Sequence, residues 1–332
     1  MRAISSAIFN TPFNPIKMNR RTFIETSALA LAGTAVAPLA HAHAAHNVGI
    51  QLFTIPQRVA NDFAGTLKKL SDIGYREVEF FGPYPFSSPK TIESWKPLAA
   101  QLGITKNAFY GYSVADVRKL LSDNNLTVPG VHLDLFTLRE NLAAAGEALA
   151  ALGTRYVALP AILNPDERKT LDDYKRLAAE FNRLGEQLAR YGLLFTYHNH
   201  GYEQSPLDGV VPLDVLLQQT DPRYVAFELD IFWLTAGGGS PIEVLTNHPG
   251  RFHLMHVKDA SQRVLFAGNG GTPDQWMALF PKMADPGAGV FDLKLIIATA
   301  RARGVQHFFL ERDLAPDPDR TLRNSYTFLA SV

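Results

Sequence analysis

Residues 171–200 read LDDYKRLAAEFNRLGEQLARYGLLFTYHNH, and three signals follow one another without a gap. From Leu171 to Tyr191 apolar side chains return at three- and four-residue steps, the period of a helix with one buried stripe. Gly192 then stops it, as a glycine beyond the last turn commonly does. The run 193–198 is apolar and aromatic, the composition of a buried strand, and it closes on His198-Asn199-His200. Helix, glycine, strand and polar strand end make one unit, and that unit recurs along the chain.

Strands are predicted over 48–53, 77–81, 128–134, 155–160, 193–198, 225–232, 252–259 and 307–312. Helices over 62–73, 138–152 and 291–302 end at or near Gly74, Gly153 and Gly304 in the same way. Eight alternations imply parallel strands, and the simplest arrangement is a single (β/α)8 TIM barrel over 45–332. Two stretches are too long for the pattern. Residues 83–112 are expected to form an insertion with a short helix over 92–102 that partly covers the mouth. Residues 260–290, with Gly268-Asn269-Gly270-Gly271 and Gly287-Ala288-Gly289, read as loops, since neither glycine run has the strand-to-helix setting of a phosphate loop.

Hydrophobic residues make up 46% of the 332 and charged residues 19%, which is enough apolar surface for a large core. Thirty-two Lys and Arg offset thirty-two Asp and Glu, so no net field draws the chain to nucleic acid or an anionic membrane, and a small-molecule partner is expected. Without cysteine there is no disulfide and no thiolate ligand, so any metal must be held by His, Asp and Glu. Asn19-Arg20-Arg21-Thr22-Phe23-Ile24, an apolar run over 28–39 and then Ala40-His41-Ala42-His43-Ala44 look like a twin-arginine export signal. Residues 1–44 are then a signal peptide read at Arg20 and Arg21 by the twin-arginine translocase, and the mature protein is periplasmic. The apolar run is too short for a stable membrane anchor.

In a barrel of this kind the site is built at the C-terminal ends of the strands. Polar residues gather there: His132 and Asp134; His198, Asn199 and His200; Glu228 and Asp230; His256, Lys258 and Asp259; Glu311, Arg312 and Asp313. Side chains two apart share a face, so Glu228 with Asp230, His256 with Lys258, and Glu311 with Asp313 can converge on one mouth. Acids and imidazoles gathered without a counter-ion are costly, so the set points to one divalent metal ion: Mn, Mg, Co, Zn or Fe. Taken singly, His132 and His253 read as hydrogen-bonded structural histidines. Phe80, Phe81, Phe232, Trp233 and Phe308 read as core or pocket wall rather than platforms for bases.

At these residues the chain resembles the sugar phosphate isomerase/epimerase family, whose barrel is xylose isomerase-like. The resemblance is carried by Gly74-Tyr75-Arg76-Glu77-Val78-Glu79, Tyr197-His198-Asn199-His200, Phe227-Glu228-Leu229-Asp230, His256-Val257-Lys258-Asp259 and Leu310-Glu311. It implies a divalent ion bound from strands five to eight, with Asp230, His256 and Glu311 in three of the places. The family's glutamate at the end of strand five is His198 here, so the remaining ligand is either His198 or Glu228. It further implies an isomerase or epimerase that polarises a sugar carbonyl and passes through an enediolate. Glu311 is then the base, Lys258 stabilises the oxyanion, and His198, His200 or Glu203 exchanges the proton on the other side. His132, Glu203, Trp233 and Arg312 are expected to contact the carbohydrate. A lyase or hydrolase acting on a keto-sugar or glycoside shares the first step, while a periplasmic sugar-binding protein would need no chemistry. Balanced charge disfavours a phosphodiesterase of the endonuclease IV type. Export favours an unphosphorylated substrate, and an oligomer is left open.

Overall fold

Eight short strands, all parallel, form the centre of the molecule: β1 Val48–Gln51, β2 Glu77–Glu79, β3 Gly130–His132, β4 Tyr156–Leu159, β5 Leu194–His198, β6 Val225–Asp230, β7 Phe252–Val257 and β8 His307–Leu310. The computed structural model of the protein describes residues 47–332, and the twin-arginine segment with Arg20 and Arg21 lies outside them. The ladder runs β2, β1, β8, β7, β6, β5, β4, β3, with Val48 opposite Phe308 where the first strand meets the last. Between β2 and β3 the ladder gives way to two parallel bridges, Glu77 with Thr127 and Phe80 with Val131. The barrel is nearly closed, and its seam lies there.

Helices cover the outside of the sheet, and the main core fills the layer between them. Leu177, Phe181, Leu184 and Leu188 of the helix Leu171–Ala189 are buried there, as the three- and four-residue spacing requires. Inside the barrel Tyr156, Leu194, Ala226, Leu254 and Phe309 form a smaller apolar layer. Two inward positions are glycine for want of space. A Cβ on Gly49 would lie 2.5 Å from the Phe309 ring, and one on Gly130 would lie 2.6 Å from Glu79 Oε1.

Several strands end earlier than the apolar runs suggest because a polar side chain turns the backbone into a helix. Asp230 Oδ1 accepts from the Trp233 amide and starts the helix Ile231–Ala236. Asp134 does the same at Thr137 for the helix Leu135–Glu140, and its carboxylate is held there by the Thr91 and Thr137 hydroxyls. The predicted helix 138–152 is two helices, Leu135–Glu140 and Leu142–Leu152, meeting at Asn141. The insertion holds the helix Pro89–Leu102, capped by Ser88, and is followed by Val114–Asp123, which Ser113 and Asp116 start with a reciprocal capping box. Residues 260–290 are less irregular than expected. Asp259–Ala260 pairs antiparallel with Met283–Ala284, and Thr272 caps the helix Pro273–Met277. Asp259 pins this excursion through the amides of Ala260, Gly287, Gly289 and Phe291. Among the described residues no helix is long and apolar enough to cross a membrane.

Candidate metal centre

Alternation along β5 to β8 and just beyond sends His198, Glu228, Asp230, His256, Lys258, Glu311 and Asp313 into the barrel mouth, where all are buried. His256 Nδ1 lies 2.6 Å from Glu311 Oε2 and 3.8 Å from Asp230 Oδ2. The ligand atoms of these three residues fall within 4.8 Å of one another, close enough to share one ion. Asp230 Oδ2 is shielded from solvent and accepts no hydrogen bond, although Lys258 Nζ is 3.1 Å away. An orphaned carboxylate oxygen beside an imidazole and a second carboxylate is a donor set suited to a divalent cation.

The far side of each histidine is held. His256 Nε2 is 2.7 Å from Glu79 Oε2, and Gln51 Nε2 donates to the same oxygen at 2.9 Å. His198 Nδ1 is 3.0 Å from Glu228 Oε2, which leaves its Nε2 3.6 Å from Asp230 Oδ2. Imidazoles that bind metal are commonly fixed by a carboxylate on the opposite nitrogen. Asn199 ties β5 to β6 by donating to the Asp230 carbonyl at 3.2 Å and accepting from its amide at 2.9 Å.

Five buried carboxylates, on Glu79, Glu228, Asp230, Glu311 and Asp313, share this space with Lys258 and three histidines. Burial works against the Glu311 carboxylate, but Lys258 at 2.9 Å and His256 hold it well below the usual range. Burial likewise opposes the Lys258 ammonium, and Asp230, Asp313 and Glu311 raise it nonetheless. Asp313 is lifted to about 7 by burial, against the pull of Lys258 Nζ 2.6 Å away and with the push of Glu311. Burial would lower His132, yet Glu79 and Glu228, each 3.2 Å from its Nε2, raise it to about 9. His200 is pushed well down by burial, then by His198 and Lys258, and so is neutral.

At the rim the His200 ring stacks on Trp233, with centroids 5.8 Å apart and planes 15° apart, and comes within 4.6 Å of Trp276. Its Nδ1 has no partner and is shielded from solvent. Lys258 Nζ sits 5.1 Å from the Trp233 ring centre. Two expected carbohydrate contacts are corrected. Glu203 turns behind the sheet, where it accepts from the Tyr197 hydroxyl and the His200 amide. Tyr197 faces outward onto Phe181, and Glu203 follows it there. Arg312, one residue past the inward Glu311, points outward to Asp285. His132, read singly as structural, is brought into the cluster. Glu79, Gln51 and Trp276 were not singled out by the sequence reading. A glutamate at every other place in 77–79 was the available sign, since an apolar-faced strand has no use for one. His253 lies at the opposite end of the barrel, 5.7 Å from the Tyr156 ring.

A family model described as a xylose isomerase-like TIM barrel matches residues 67–331. The inosose dehydratase of Geobacillus thermodenitrificans is 26% identical over 163 residues, 48% of this chain and 52% of the relative. The chain thus spans about half the length of that curated relative. The crystal structure of a sugar phosphate isomerase/epimerase from Parabacteroides distasonis superposes with a TM-score of 0.68 at 22% identity, covering 90% of this chain and 98% of that one. The 3-keto-D-glucoside 4-epimerase of E. coli superposes with a TM-score of 0.57 at 15% identity, covering 86% of this chain and all of the other, 100%.

Proposed function

Because this chain belongs to the xylose isomerase-like TIM barrel family, we propose that it is an enzyme using one divalent cation to deprotonate the carbon beside a ketone in an unphosphorylated keto-sugar or cyclic keto-polyol. The observation that carries this reading is the meeting of Asp230 Oδ2, His256 Nδ1 and Glu311 Oε2 at the barrel mouth. Asp230, His256 and Glu311 hold the ion, and His198 supplies the fourth ligand through Nε2. Glu228, on the other nitrogen of His198, orients that ligand and does not replace it. The bound ion would polarise the ketone and acidify its neighbouring C–H.

The chain's own groups supply the proton transfers. Glu311 is ionised and takes the proton. Lys258, held protonated by three carboxylates, donates toward the developing oxyanion. His200 is neutral with a free Nδ1, and it exchanges a proton on the Trp233 side. Trp233, buried between His200 and Phe266, and Trp276 wall this side of the site against water.

A keto substrate is supported by two relatives, one named for a 3-keto-glucoside and one for an inosose, itself a cyclic keto-polyol. Lack of a phosphate is supported by the charge of the site, where five buried carboxylates surround one lysine and a phosphate would add to the negative excess. Twin-arginine export through Arg20 and Arg21 to the periplasm belongs to the same reading. Epimerisation and loss of a neighbouring hydroxyl begin with the same proton. The test is to incubate Mn-loaded enzyme with a 3-keto-glucoside and with an inosose in heavy water and follow deuterium uptake by NMR. Uptake at the carbon beside the ketone that disappears in Asp230→Ala and His256→Ala supports the reading, and product stereochemistry then separates epimerase from dehydratase. Tight sugar binding with no exchange in loaded protein would sink it and favour a binding protein.

A further inference from the structure

The glycine run 268–271, which the chemistry above does not use, is fastened at two adjacent carbonyls. The Trp276 indole Nε1 donates to the Gly270 carbonyl at 2.6 Å, and the Arg168 guanidinium donates through Nη2 to the Gly271 carbonyl. Both places are packed too closely for a side chain. A Cβ on Gly270 would lie 2.3 Å from the Phe266 ring, and one on Gly271 would lie 2.9 Å from Arg168 Nη1. Arg168 is itself buried, and among the described residues it forms no ion pair. Instead its Nε donates to the Ile162 carbonyl at 2.8 Å, and its guanidinium carbon stands 4.0 Å from the centre of the Tyr202 ring. A cation kept from water without a carboxylate is costly, and packing alone would be served better by an apolar side chain.

We infer that Arg168 is a positioning residue for His200, acting on it through Trp276 and Tyr202. The inference rests on the proton exchange proposed for His200. One route reaches the ring: Arg168 fixes Gly271, the adjoining Gly270 carbonyl fixes the Trp276 indole, and that indole stands 4.6 Å from the His200 ring. The other reaches the backbone. Under Arg168, the Tyr202 hydroxyl accepts from the Ile162 amide at 2.9 Å and meets the Tyr197 hydroxyl at 2.9 Å. Tyr197 donates to Glu203, which accepts from the His200 amide. Segments after β4, after β5 and in the 260–290 excursion thus meet at one guanidinium. Its planar fork serves two carbonyls at once, which the point charge of a lysine does not reproduce.

The experiment uses the Mn-loaded full chain with the 3-keto-glucoside and the inosose. Deuterium exchange is followed at saturating and limiting substrate, and the three tryptophans are read by ¹⁹F NMR after 5-fluorotryptophan labelling, with Trp276→Phe to assign the Trp276 line. In Arg168→Lys, kcat should fall about 100-fold with KM nearly unchanged, the loss that a misplacement of about 1 Å causes. The Trp276 line should shift or broaden, while that of Trp95, which packs on Phe81, stays in place. Because both side chains act through one link, Arg168→Lys combined with Trp276→Phe should lose no more than the worse single variant. A wild-type kcat in Arg168→Lys, or losses that multiply in the double variant, overturns the inference. So does a lower melting temperature with kcat and the Trp276 line unmoved, the mark of a merely structural role. No exchange in the wild type overturns the proposed function; the hold on Trp276 then stands if its line moves in Arg168→Lys and falls if it does not. Should Arg168→Lys not fold, Trp276→Phe cuts the same link at Nε1 and keeps an aromatic ring, and an unchanged kcat there overturns the inference.

Discussion

Glu203 shows how far a residue's role depends on which way its strand faces. It was expected at the sugar, and it stands instead as a support for His200, whose amide it accepts while also accepting from the Tyr197 hydroxyl. Burial raises its carboxyl group against the pull of those donors. Glu203→Ala leaves two buried donors unpaired and is expected to cost about 1–3 kcal/mol, read from the urea midpoint. Glu203→Gln keeps an acceptor for both and should recover most of that loss; equal destabilisation by both variants would show that the charge itself matters. At this scale the inward acids and histidines of β5 to β8 were legible from two-residue spacing. Glu79 was not, because it precedes Phe80-Phe81 and only closure of the barrel turns its strand's polar face toward His256.

Elements were legible in kind and less so in extent. Apolar runs do not record where an aspartate will cap the next helix, and Asp134 and Asp230 each took residues from a predicted strand. The helix Val114–Asp123 carries its capping box in plain view at Ser113 and Asp116, just beyond the predicted insertion 83–112. The 260–290 excursion is anchored by a second acid besides Asp259. Asp285, nearly buried, accepts from Arg312 and from the Thr321 hydroxyl of the helix Pro318–Leu329, fastening the excursion to β8 and the last helix. Burial opposes its ionised form, but Thr321 and Arg312 prevail and hold the carboxyl below its ordinary value. A depressed folded value means that the stability it contributes is present above the ordinary aspartate range and is lost as pH falls through the folded value. Asp285→Asn is expected to cost about 2 kcal/mol at neutral pH. The difference between the two proteins should shrink as pH is lowered below about 4. A gap that stays constant down to pH 3 would remove the carboxylate from the explanation.

For the whole molecule, eight strand-and-helix units were enough to predict the barrel, because each unit buries the same two faces wherever it sits. The position of the seam was not readable, since it depends on how far β2 and β3 diverge and not on any local pattern. A barrel that gathers five buried acids around one lysine should be stabilised when a divalent cation is added. With free Mn²⁺ at about one hundred times its dissociation constant, a single site adds about 2.7 kcal/mol, and chelation should lower the melting temperature by several degrees. A melt that chelator leaves unchanged would show that the interior charge is met by protons alone.

The ladder order has a further meaning for a chain made from its N-terminus. β1 pairs only with β2 and β8, and Val48 is separated from its partner Phe308 by 260 positions. The ribbon from β3 to β7 can zip together as it leaves the ribosome, each strand meeting the one just made. β1, among the first strands synthesised, must wait for β8, so the order of synthesis is not the order of assembly, and a nascent chain halted before residue 307 is an open sheet with two raw edges.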